Sequence, residues 1–186
     1  MTHNITTSLL LIACTFALCC SEKDNSPGAP AVDWTTGRGT AACHEWQRSY
    51  CELAARCEGV TLVTCATQYQ GIECSSDTTA TNCATSLDAA TCTSPPTGCN
   101  ATDIANTAPA NQGCNDLYTA VCTHNTSCGD TTPVATCVTD LQGVHDCSAA
   151  IGLALSYQDC MTQINAAACS STALPTACDN VILMPQ

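Results

Sequence analysis

Sixteen of the nineteen cysteines fall into two sets of eight with matching spacing, and nothing else in the 186-residue chain restricts its fold as strongly. The first set is Cys43, Cys51, Cys57, Cys65, Cys74, Cys83, Cys92 and Cys99; the second is Cys114, Cys122, Cys128, Cys137, Cys147, Cys160, Cys169 and Cys178. The steps run 8, 6, 8, 9, 9, 9, 7 in the first and 8, 6, 9, 10, 13, 9, 9 in the second. Intervening residues agree as well. Thr64-Cys65-Ala66-Thr67-Gln68-Tyr69-Gln70-Gly71-Ile72 parallels Thr136-Cys137-Val138-Thr139-Asp140-Leu141-Gln142-Gly143-Val144, and Pro96-Thr97-Gly98-Cys99 parallels Pro175-Thr176-Ala177-Cys178. One eight-cysteine unit is used twice. The sequence divides into a signal segment (1–20), a flexible tether (21–42), module 1 (43–99), a polar linker (100–113), module 2 (114–178) and a short tail (179–186).

Each module reads as three short helices, so the expected fold is all-α: two tandem, disulfide-stapled three-helix modules. The first helix spans about His44 to Arg56, with Gly59 placed to end it, and its counterpart starts near Asn115. Leu62, Cys65, Tyr69 and Ile72 recur at helical intervals, as do Val134, Cys137, Leu141 and Val144. Thr132-Pro133 reads as a capping hydroxyl followed by proline at the first helical position. The third helix is expected over Thr81 to Thr91 and over Ser156 to Ala168, where alanine favours helix. Strands are not expected, because the β-branched residues are mostly threonine at no period of two.

The cysteines stand in for a conventional core. Beyond residue 21 there are 9 Leu, 5 Ile, 8 Val and no Phe among 165 residues, too few for an ordinary domain of this size. A disulfide closing a loop of about 15 residues supplies roughly 3 kcal/mol, and such staples persist in an oxidising, extracytoplasmic compartment. Eight cysteines permit about 105 pairings, among which the sequence alone does not choose; if the first two helices form an antiparallel hairpin, nested pairs become natural: Cys57 with Cys65, Cys51 with Cys74, Cys43 with Cys83 and Cys92 with Cys99. In module 2 this becomes Cys128 with Cys137, Cys122 with Cys147, Cys114 with Cys160 and Cys169 with Cys178.

The amino terminus reads as a targeting signal. Ile5 to Leu18 is apolar and too short to span a membrane. Three cysteines near its end are candidates for lipidation. Cys14 follows Leu11-Ile12-Ala13 but leaves the apolar run from Thr15 to Leu18 unexplained; Cys19 and Cys20 stand where the run ends. Cys20 is preferred, because it opens the mature chain at the Ser/Pro/Gly-rich tether and leaves sixteen cysteines to pair. Simple secretion after a cut beyond Ser21 is the alternative.

Charge excludes two partner classes. Sixteen acidic residues face four basic ones, Lys23, Arg38, Arg48 and Arg56, for a net charge of -12. A chain without cations beyond Arg56 does not neutralise phosphate, so neither nucleic acid nor an anionic membrane surface is an expected partner. Membrane contact is expected only through the lipid anchor, and any partner is an unknown protein or small ligand.

No catalytic motif emerges, and no cofactor, catalytic or metal-binding residue is assigned. His145-Asp146-Cys147 resembles the His-Asp pair of secreted phospholipases A2, but the paired cysteines and the calcium loop are missing, and module 1 has Ile72-Glu73-Cys74 at that place. A surface histidine beside a cystine is the simpler reading. His44 and His124 have no partner at triad or metal spacing. Cys-x2-Cys clusters, usual in soft-metal sites, do not occur. The duplicated spacing, the alanine-rich Cys-x8-Cys helix, the Pro-x-x-Cys exit, the leader and the tether together resemble the cysteine-rich secreted proteins and lipoproteins of myxobacteria and related bacteria. That resemblance implies an outer-membrane-anchored or secreted protein and supplies no catalytic residue. The expected function is a non-enzymatic structural or binding module at the cell surface. Alternatives are a carrier of a hydrophobic ligand, with Leu62, Tyr69, Ile72 and Leu87 around a cavity, and a soft-metal-binding protein.

Overall fold

The computed structural model describes residues 31–170 and 174–185. The segment read as a signal, the cysteines at 14, 19 and 20 and the first part of the expected tether lie outside the described residues. What is described is all-α apart from one two-residue ribbon. The first copy contains α1 (Ala41–Glu58), α2 (Leu62–Tyr69) and α3 (Asp77–Asp88). A single turn, α4 (Ala101–Ile104), leads to α5 (Thr107–Ser127), α6 (Val134–Val144) and α7 (Tyr157–Ala166) of the second copy. Strands β1 (Gly152–Leu153) and β2 (Ile182–Leu183) pair antiparallel.

Local chemistry sets the helix ends in the first copy. Thr40, Thr61 and Ser76 each accept a hydrogen bond from the backbone amide three residues on, the usual N-cap arrangement. Gly59 closes α1 in the left-handed conformation at φ 73°. The second copy departs from expectation at Thr132-Pro133. Pro133 is itself the N-cap of α6, and the Thr132 amide instead bonds the Asp130 carboxylate at 2.8 Å.

All sixteen cysteines are paired, each within its own copy. Copy 1 has Cys43–Cys74, Cys51–Cys65, Cys57–Cys92 and Cys83–Cys99. Copy 2 repeats the same connectivity as Cys114–Cys147, Cys122–Cys137, Cys128–Cys169 and Cys160–Cys178. The nested pairing expected from the hairpin is therefore wrong at every bond. The reason is helix rotation. At about 100° per residue, Cys57 lies roughly 120° around α1 from Cys51, so the two cannot both face α2. Cys51 reaches Cys65 in α2, while Cys57 turns to the loop after α3. The steps of 8 and 6 are identical in the copies because the three cysteines lie along one helix, or, for Cys128, at its C-cap.

Two further expectations are corrected. The polar linker 100–113 is α4 plus the first two turns of α5, and it is tied to copy 1: Ser75 N donates to Ile104 O at 2.8 Å and Asn106 N to Glu73 O at 2.6 Å. The end of the tether is likewise built into the fold. Gln70 Nε2 donates to Asp33 O at 2.6 Å, Arg38 N to Gln70 O at 2.7 Å and Gln47 Nε2 to Arg38 O at 3.1 Å, so two glutamine side chains and one backbone carbonyl hold residues 33–38 against copy 1.

The copies are fused, not strung as beads. Copy 2 has four extra residues between its fifth and sixth cysteines, a step of 13 against 9, and this stretch carries Ile151-Gly152-Leu153. Ile151 enters the copy 1 core with Trp46, Leu53, Ile72, Leu87 and Ile104. Leu153 N donates to Gly71 O at 3.0 Å, and Ile151 N to Leu183 O at 2.8 Å. Gly71 is required here: a Cβ would overlap the Leu153 carbonyl and stand 2.7 Å from Leu183 Cδ1. Gly113 makes room for the other side of Leu153, whose Cδ1 would lie 2.5 Å from an added Cβ. The tail is thus structural as well, with Val181 buried beside Tyr157 and Ile164.

Candidate binding groove

Where the copies meet, a groove of about 610 Å³ opens on the surface. Helix α1 contributes Tyr50 and Glu58, α2 contributes Gln68 and Tyr69, and the start of α4 contributes Asn100 and Thr102. Ile72 and Ile151 form part of its apolar floor. The remaining wall comes from the carboxy-terminal residues Asn180, Ile182, Leu183, Met184 and Pro185. The groove therefore exists only because the chain's last residues return across copy 1 through the β1–β2 ribbon.

Its aromatic wall is well fixed. The Tyr50 and Tyr69 rings lie 4.6 Å apart, tilted by 43°, and both back onto buried Trp46 at 5.6 and 6.4 Å. Trp46 is itself held by a 3.1 Å hydrogen bond from Nε1 to Cys99 O. The Tyr69 hydroxyl donates to that of Tyr50 at 3.4 Å. Burial first, then this contact with Tyr50, raises the Tyr69 phenol above the ordinary tyrosine range, so it stays protonated. Asn180 on the carboxy-terminal wall adopts the left-handed conformation at φ 54°, which asparagine tolerates better than most residues.

The duplication separates scaffold from site. Register on the cysteines places Val121 opposite Tyr50, Leu141 opposite Tyr69 and Gly129 opposite Glu58. Copy 2 keeps the same helices and staples with aliphatic residues in the aromatic positions, so the fold does not demand the tyrosine pair. The same comparison gives Ile72 at 1% exposed against its counterpart Val144 at 72%: copy 1 is covered at this point by copy 2, and copy 2 is not so covered.

The histidines singled out in the sequence are not gathered into a site. His145 is an exposed residue at the end of α6, whose carbonyl accepts from Tyr118 Oη at 3.2 Å. Asp146 beside it directs Oδ1 to the Ser148 amide at 2.8 Å and Oδ2 to the Ser148 hydroxyl at 2.7 Å. Those bonds hold its carboxyl below the usual range and orient it away from a role as histidine partner. His44 Nε2 contacts Gly37 O at 3.0 Å, and His124 Nε2 lies 3.6 Å from the sulfur of Cys128, which is already in a disulfide.

Soft-metal binding through the sixteen cysteines is overturned by the pairing, since a disulfide sulfur has no thiolate to offer. Among the described residues no group of three or more His, Cys, Asp or Glu side chains is placed to hold a metal ion. The cavity expected among Leu62, Tyr69, Ile72 and Leu87 takes a different form. Leu87 is packed in the core, Ile72 is core residue and groove floor at once, and Tyr69 faces the groove. Glu58, Gln68, Thr102 and Asn180 carry no motif in the sequence, and Asn100 only the glycosylation acceptor pattern Asn100-Ala101-Thr102; the available signal for the groove is the difference between copies at positions 50 and 69. Fold and site define a disulfide-stapled, tandem-repeat helical protein with a surface groove between its repeats. Scans against family models, curated proteins and solved structures return no match to this chain.

Proposed function

We propose that the chain is a non-enzymatic binding module working outside the cytoplasm, held at the cell surface by lipid on Cys20, with the groove between its copies as the binding site. The observation that carries the binding role is the tyrosine pair. It lies in a groove with polar rims, backed by a rigid tryptophan, and the second copy shows that the scaffold folds without it. The eight disulfides support the compartment, because so many would not persist among reduced thiols. The resemblance to myxobacterial secreted proteins and lipoproteins points the same way. A hydrophobic-ligand carrier is the weaker reading, since the groove is rimmed by amide and hydroxyl side chains.

Intact mass of the mature protein, recovered from a bacterial host that processes lipoproteins, tests both parts. The expected species begins at Cys20, carries acyl chains, and gains two hydrogens on reduction for each of eight disulfides. A chain beginning at Glu22 without acyl groups overturns the anchor. Free thiols among the sixteen cysteines overturn the oxidising compartment.

A further inference from the structure

We infer that the groove binds a neutral saccharide; this rests on its being the binding site. Its rim is built from Gln68, Asn100, Thr102 and Asn180, uncharged groups that each donate and accept hydrogen bonds, as the hydroxyls of a sugar do. Beside them stands the tyrosine pair, whose rings offer an apolar wall of the kind a sugar's C–H face packs against. The Tyr50 oxygen already accepts from Tyr69, which leaves its own proton to donate to a ligand. The volume of about 610 Å³ falls within the range of about 300–1,000 Å³ typical of small-ligand sites.

Charge selects among ligand classes. Glu58 is the one ionisable acid or base at the rim apart from the tyrosines, and no Lys or Arg lines the groove. The three described cations are engaged elsewhere: Arg38 with Glu73 at 3.8 Å, Arg48 with Glu45, Glu52 and Asp88, and Arg56 with the Ala90 carbonyl. An anionic ligand would meet a net charge of -12 with no local counter-charge. A cationic one would have only Glu58, an exposed carboxylate screened by salt. A lipid chain would cover the amides without replacing their bonds to water.

The test uses the full mature chain and follows both the tyrosine ring protons and the added ligand's own signals by NMR while maltotriose, cellotriose and triacetylchitotriose are added separately to millimolar concentration, with choline and citrate as charged comparators; the ligand signals report binding in variants that lack the tyrosines. At least one trisaccharide is expected to shift the Tyr50 and Tyr69 signals. Two variants locate the binding. Tyr50→Val with Tyr69→Leu installs the residues copy 2 already carries and is expected to abolish it with all disulfides formed. Asn180→Gly keeps the left-handed backbone, removes the amide, and is expected to weaken binding by about tenfold. Ring shifts with choline or citrate but with no saccharide overturn the saccharide class and leave the groove as a site. Silence toward every probe overturns both, and saccharide binding that survives the tyrosine replacements overturns the location.

Discussion

Full reduction of the disulfides unfolds this chain at room temperature without denaturant. The staples close loops with sequence separations from 14 to 41 residues, and taken singly each restricts the unfolded chain by about 3–4 kcal/mol. Nesting lowers the sum, yet eight of them exceed the net stability of about 5–15 kcal/mol of ordinary proteins. The core cannot compensate: its largest cluster gathers one tryptophan, a few aliphatic residues, alanines and the cystines themselves. Circular dichroism is expected to show loss of helix on reduction, whereas a retained helical signal would mean that packing alone suffices. The order of reduction is also expected to repeat between copies. Cys92 and Cys169 are exposed and their partners Cys57 and Cys128 only half-buried, while Cys43, Cys51, Cys83 and Cys99 and their second-copy counterparts Cys114, Cys122 and Cys160 lie in or near the cores. Limited reductant followed by thiol labelling should therefore mark Cys57, Cys92, Cys128 and Cys169 first.

Alanine at Gly71 and alanine at Gly143 are expected to act in opposite directions, although the two glycines correspond in the duplication. At Gly71 the new methyl meets the Leu153 backbone and the Leu183 side chain, and Gly152 approaches Gly71 O so closely that its own Cβ would stand 2.7 Å away. Because the obstacle is backbone, relief requires the seam between the copies to open, and the cost is about 3 kcal/mol, the upper end of overpacking. At Gly143, inside α6, nothing lies within 4 Å of an added Cβ. There alanine only removes unfolded-state freedom and is expected to stabilise by about 0.5–1 kcal/mol. Urea unfolding of the two variants checks the sign of each. Equal effects would show that the seam is not closed by Gly71.

Much of this fold is legible before any coordinates. The duplicated spacing, the three helices per copy, Gly59 as the end of α1 and the all-α class all follow from cysteine register, helical periodicity and capping chemistry. The rotation of Cys57 relative to Cys51 argues against nested pairing, but the partner each cysteine takes depends on how the helices pack, which spacing does not carry. The linker escaped because Asn106 and Thr107 begin α5 on polar residues, with no side-chain cap hydrogen bond to announce it. The fusion of the copies turns on an insertion. A step of 13 where the other copy has 9 looks like loop variation, yet Ile151, Gly152 and Leu153 within it bind one copy to the other. The groove was the least accessible feature. Its residues come from α1, α2, α4 and the final stretch, and only the return of the tail brings Asn180 into one groove with Tyr50 and Tyr69.

One stapled module, with one connectivity, is used twice in this chain. Peptic digestion at acid pH without reductant tests it, since protonated thiols do not reshuffle disulfides and trypsin has no site beyond Arg56. Mass spectrometry of the linked peptides is expected to join Cys51 to Cys65 and Cys57 to Cys92, and to find Cys122 joined to Cys137 and Cys128 to Cys169. A peptide linking any cysteine of residues 43–99 to one of residues 114–178, or different connectivities in the two sets, would contradict it.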